Sequence, residues 1–84
     1  MAINYSTLRG LTARRLIRAL RQDGFYLEQQ RGTAHRQYHH PDGRRVTVSY
    51  HRSSGTFKPG TLQSIIEEQA RWTEADLKRL GLLK

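Results

Sequence analysis

Apolar residues first recur along the chain with a helical period: Ala13, Leu16, Ile17 and Leu20 fall at i, i+3, i+4 and i+7. Thr12 stands where an N-cap belongs, and Gly24, after Asp23, where a C-cap glycine belongs, so a helix is predicted between them. On its other side Arg14, Arg18 and Arg21 line up. Like charges at that spacing slightly destabilise an isolated helix unless something anionic lies nearby. From Phe25 the period drops to two: Phe25 and Leu27 point one way and Tyr26 and Glu28 the other, as in a half-buried strand, until Gly32 breaks the pattern. A second extended run from Ala34 to His39 meets Pro41-Asp42-Gly43, a strong turn signal. Val46, Val48 and Tyr50 then alternate with Thr47 and Ser49 in a third strand rich in β-branched residues.

Arg52-Ser53-Ser54-Gly55-Thr56 reads as a polar loop. After Pro59-Gly60, Thr61 is placed to cap a helix with Leu62, Ile65, Ile66 and Gln69 on one face. Thr73 and Asp76 match a capping box for a last short helix that carries Leu77 and Leu80 and ends at Gly81. The order α-β-β-β-α-α predicts an α+β fold in which a three-stranded antiparallel meander buries its apolar stripes under helices on one face.

Eighty-four residues allow one domain, here taken as 1–84. With no cysteine, disulfides and the common Cys-based zinc sites are excluded. No apolar run approaches a membrane span and the N-terminus has no signal-peptide core, so a cytoplasmic protein with no membrane partner is expected. Charge changes the picture more. The net charge is +8 on a hydrophobic fraction of 36%, enough for a folded chain with a polyanionic partner. Only Lys58, Lys78 and Lys84 are lysines; the other basic residues are arginines, whose forked donors suit phosphate and whose planes stack on bases.

No P-loop, G-x-S-x-G or G-x-G-x-x-G motif occurs, and no small-molecule cofactor is expected. Glu67, Glu68, Glu74 and Asp76 read as ordinary helix-face and first-turn residues, not the converging carboxylates of a two-metal nuclease. Among the histidines, His35 and His39 would lie about 13 Å apart on one strand, too far to share a metal ion, so no metal site is expected. His40, before Pro41, reads as a surface strand residue. A histidine among arginines suits another chemistry. Imidazole titrates near neutrality and moves a proton to or from a ribose 2′-hydroxyl or a leaving 5′-oxygen, while guanidinium groups hold the phosphate. Arg31, Arg36, Arg44 and Arg45 lie close to His35 in sequence or across the predicted hairpin from it, although Arg44-Arg45 also suits a charged hairpin end.

The ordered set Leu11-Thr12, Leu16-Ile17, Leu20, Gly24-Phe25, Gly32, His35, His40-Pro41-Asp42-Gly43-Arg44, Val46-Thr47-Val48 and Lys58-Pro59-Gly60-Thr61-Leu62 through Ile65 resembles the HicA family of bacterial toxins. The resemblance covers about residues 11–70 and leaves 71–84 as a helical extension. It implies a double-stranded-RNA-binding-domain-like α-β-β-β-α fold, endoribonuclease activity on mRNA that blocks translation, an essential histidine on the second strand, and neutralisation by a HicB-type antitoxin. One departure matters: the family's Gly-Ser-His becomes Gly32-Thr33-Ala34-His35 here. Counting back from His40-Pro41 puts His35 at the catalytic position, and counting forward from Gly32 puts Ala34 there, which would make this chain an inactivated variant. The first count is favoured because the turn fixes the strand register. The expected interface is then catalytic His35 with RNA-binding Arg14, Arg18, Arg21, Arg31, Arg36, Arg44, Arg45 and Lys58. His39, Tyr38 or water would supply the second proton transfer. A non-catalytic module that grips double-stranded RNA is the alternative; it would need the arginines but not His35.

Overall fold

The computed structural model describes residues 3–32 and 34–83; Thr33 of the Gly32–His35 segment and Lys84 of the C-terminal extension lie outside them. The chain opens with a short 3-10 turn, Tyr5–Leu8, capped by Asn4, an element the periodicity does not announce. Helix α1 (Ala13–Gln22) starts as predicted, the Thr12 hydroxyl accepting from the Arg15 N–H at 3.2 Å. Two further N–H groups of its first turn, on Ala13 and Arg14, donate to the carbonyls of Gly55 and Ser53. The polar loop thus satisfies helix donors that would otherwise be orphaned. At the other end Gly24 takes φ 102°, and the N–H groups of Gly24 and Phe25 donate to Arg21 and Leu20 carbonyls. That is a Schellman closure with Phe25 packed back on the helix.

Strands β1 (Tyr26–Arg31), β2 (His35–His39) and β3 (Arg45–Ser49) form an antiparallel sheet in the order β1-β2-β3. Tyr38, Val46 and Val48 point to the inner face and are buried with Leu16, Leu20, Ile65, Ile66 and Leu77 in one hydrophobic cluster. β1 departs from the half-buried expectation. Every one of its residues is exposed, Leu27 by 40%, and a bulge at Glu28 interrupts the alternation. The reason is position: β1 is an edge strand, and Phe25, just before it, is the residue that anchors it in the core.

The second predicted helix also starts earlier than its sequence suggests. α2 (Pro59–Gln63) has Lys58 at the N-cap and Pro59 in the first turn, where a fixed φ helps and the missing N–H costs nothing. Thr61 lies inside the helix and does not cap it. The chain then widens into a π-helical stretch, Ser64–Gln69, in which Ile65 and Ile66 are both buried. Gln69 lies beside the sheet, and its side-chain oxygen accepts from the Thr47 N–H at 2.8 Å, covering part of the β3 edge. α3 (Glu74–Arg79) has the predicted capping box, with reciprocal bonds between Thr73 and Asp76, and closes at Gly81, whose φ is 78°. Trp72, Leu77, Leu80 and Leu82 join the same core. Among the described residues no helix is long and apolar enough to cross a membrane. The architecture is the expected α+β fold, with helices before and after a three-stranded antiparallel sheet.

Candidate functional site

Strand register decides which side chains share a face. Because Tyr38 and Val46 are paired and both turn inward, the alternate positions turn outward. The outer face carries three cross-strand rows: Arg31, His35 and Ser49; then Gln29, Gln37 and Thr47; then Tyr26, His39 and Arg45. No carboxylate occurs at any of these positions. Gln29, Arg31, His35, Arg36, Gln37 and Thr47 line a shallow groove of about 270 Å³.

His35 opens β2 and is exposed, directly between Arg31 and Ser49. Its Nδ1 lies 2.7 Å from Ser49 Oγ, a hydrogen bond that holds one ring nitrogen. Ala34 is half-buried in the preceding turn, where its carbonyl accepts from the Tyr50 N–H at 3.0 Å. Tyr38 is fully turned into the core and hydrogen-bonded to Arg21, so it lies on the wrong face to act with His35. Burial and the neighbouring Tyr50 raise its hydroxyl above the ordinary phenol value, against the lowering effect of Arg21. His39 shares the outer face with His35 but lies at the opposite end of β2. Among the described residues no cluster of three or more metal-ligating side chains forms.

The candidate cationic residues separate by position. Arg31 and Arg45 are exposed on the outer face, at diagonal corners of it. Arg14, Arg18 and Arg21 belong to the helical layer across the sheet. Arg14 donates to Ser53 Oγ at 3.1 Å and Arg21 is tied to Tyr38. Lys58 is exposed at the start of α2, and Arg36 turns inward with its guanidinium 4.3 Å over the Tyr50 ring.

Arg44 has a different position from its sequence neighbour. Its side chain is only 17% exposed, it bonds Asp23 at 3.1 Å, Asp42 at 2.7 Å and the Ala70 carbonyl at 2.7 Å, and it lies over the Phe25 ring. Asp23, 9% exposed, also accepts from the Trp72 indole at 2.9 Å and from Arg79 at 2.8 Å. Burial pushes its carboxyl up, but the bonds from Trp72 and Arg79 and the charges of Arg44 and Arg79 outweigh this and hold it below the ordinary value. His40, expected on the surface, joins the same cluster. Its Nε2 lies 2.7 Å from the Asp23 carbonyl, which only a ring N–H can satisfy, and its edge packs on Phe25 at 5.0 Å. A Cβ on Gly24 would come within 2.9 Å of that nitrogen. The cluster clamps the turn that joins β2 to β3, and so fixes the register that brings Ser49 to His35.

Ser49 is the site residue that sequence reasoning misses. Its signal is present all the same: a hairpin closed at Pro41–Gly43 pairs His39 with Arg45, and equal steps along both strands end at His35 and Ser49. Fold and face together define a small basic α+β protein whose open sheet surface bears a histidine among cationic and amide side chains. Residues 13–72 match the family model of the HicA toxins of bacterial toxin–antitoxin systems. The chain belongs to that family. No curated protein matches it.

Proposed function

We propose that the protein is an endoribonuclease that cleaves mRNA on the open sheet face, with His35 as the proton-transfer residue, and that a HicB-type antitoxin neutralises it. The observation that carries this reading is His35 itself: exposed, between Arg31 and Ser49, in a cross-strand row without a carboxylate. With Nδ1 bonded to the Ser49 hydroxyl, Nε2 is the atom that exchanges a proton with substrate. It takes the proton of a ribose 2′-hydroxyl, the 2′-oxygen attacks the adjacent phosphorus, and the bond from phosphorus to the 5′-oxygen breaks. Arg31, one strand away, neutralises charge on the phosphoryl oxygens. The leaving 5′-oxygen receives its proton from water or from the same imidazole, since Tyr38 is turned to the core and His39 lies at the far end of the strand. The products are a cyclic phosphate and a 5′-hydroxyl. This reaction needs no metal-bound water. The antitoxin reading rests on family membership and on the cationic face, which an acidic surface would mask.

Purified protein incubated with an end-labelled transcript in EDTA tests the assignment. Cleavage should persist and leave cyclic phosphate ends. His35→Ala should abolish cleavage and growth inhibition while RNA binding and the melting temperature stay nearly unchanged. Cleavage by the His35→Ala protein would overturn the role of His35. Should the native chain be inert, recovery of cleavage by Ala34→His would identify Ala34 as the altered catalytic position.

A further inference from the structure

The end of the open face away from His35 carries a different chemistry. Tyr26 is 47% exposed there, although it belongs to the sheet and not to a loop. Its ring lies beside that of His39, with centroids 6.3 Å apart and planes tilted by 56°, and Arg45 completes the row. His39 Nε2 is buried and has no hydrogen-bond partner among the described residues.

The geometry points to a base-stacking subsite for single-stranded RNA, formed by Tyr26 and His39 at this end of the face. The inference rests on the reading of the face as an RNA site but not on the role of His35. Rows on a strand repeat at about 6.6 Å, so His35 and His39 are about 13 Å apart, a span of roughly two nucleotides of extended chain. The middle row, Gln29, Gln37 and Thr47, offers amide and hydroxyl groups that donate and accept, which suits base edges. Arg31 and Arg45 at the diagonal corners supply charge for the phosphates. A duplex cannot use this arrangement, because an A-form helix buries the faces of its bases and presents ribose and phosphate instead. An unpaired strand exposes a π-face at every nucleotide, and aromatic side chains on a sheet are the platforms such strands use. The subsite thus sets where a strand lies, two nucleotides from the bond that His35 addresses.

The test uses the full chain and a short single-stranded oligodeoxynucleotide, which lacks the 2′-hydroxyl and so survives binding measurements by fluorescence anisotropy. Tyr26→Ala should weaken binding by about tenfold or more, Tyr26→Phe by less than twofold, and the matching duplex should lose little with either. Replacing one nucleotide of the oligomer by an abasic unit should cost native protein about as much as Tyr26→Ala, and should cost the Tyr26→Ala protein almost nothing further. Unchanged single-strand binding by Tyr26→Ala, or equal losses for strand and duplex, would overturn the subsite. So would a Tyr26→Ala protein that binds RNA normally but no longer captures its co-expressed antitoxin, since the face would then be a protein interface. Because no cleavage is measured, failure of the His35 assignment leaves these outcomes readable. Tyr26 is half exposed, and an unchanged melting temperature separates lost stacking from lost folding.

Discussion

The hydrogen bond between Ser49 Oγ and His35 Nδ1, at 2.7 Å, engages one ring nitrogen and leaves Nε2 as the other. An exposed side chain has little packing to hold its rotamer, so this bond is the main local restraint on the ring. Ser49→Ala should therefore lower kcat about 3- to 10-fold, the equivalent of the roughly 1 kcal/mol of a single hydrogen bond, while KM and RNA affinity change little. Ser49→Thr keeps the hydroxyl on a strand-favouring residue and should restore most of the rate. Steady-state kinetics on a short RNA substrate separate the two parameters. A rise in KM with kcat unchanged would assign Ser49 to substrate binding instead. At this scale the sequence singles out His35 as a histidine among arginines. Ser49 is an ordinary strand residue, and only its pairing across the hairpin brings it to His35.

At the scale of elements, the Asp23 carboxylate ties the end of α1 to the β2–β3 turn through Arg44, to Trp72 and to α3 through Arg79, and Arg44 in turn bonds the Ala70 carbonyl and covers the Phe25 ring ahead of β1. Asp23→Asn keeps the shape and removes the charge, leaving Arg44 and Arg79 without their common partner. The expected loss is about 1.5–3 kcal/mol, enough to lower the melting temperature of so small a chain by several degrees. The carboxyl lies below its ordinary value in the folded chain, so its contribution is complete above about pH 4, near the unfolded value, and is lost as pH falls through the folded one. Native protein should lose stability over that acid range in thermal melts, and Asp23→Asn should lose less of what remains. Identical acid slopes for the two proteins would contradict this. The caps of α1 and α3 and the Pro41–Gly43 turn are legible in the sequence because each rests on neighbouring residues. The inward positions of His40 and Arg44 are not, since their partners are far along the chain. Nor is the exposure of Leu27, which alternates correctly but lies on an edge strand.

Over the whole molecule the sheet divides the positive charge into two surfaces. Arg31 and Arg45 lie on the face with His35, to which the proposed function assigns the phosphates, whereas Arg14 and Arg18 lie in the helical layer behind it. A charge in contact releases a counterion; one on the far side acts only through the field, which salt screens over about 8 Å at physiological ionic strength. The net charge of +8 should hence speed encounter with RNA at low salt, while equilibrium affinity reports the contacts. Changing Arg31 and Arg45 together to Gln should reduce the slope of log K against log salt by about 1.4, at roughly 0.7 per phosphate contact on a single strand. Changing Arg14 and Arg18 to Gln should slow association in low salt and leave that slope nearly intact. Salt titrations of single-strand binding by the two double variants, with association rates from stopped flow, measure both quantities. The reverse pattern, a lost slope for Arg14 and Arg18 and none for Arg31 and Arg45, would move the RNA site to the helical face and leave His35 on the wrong side of the sheet.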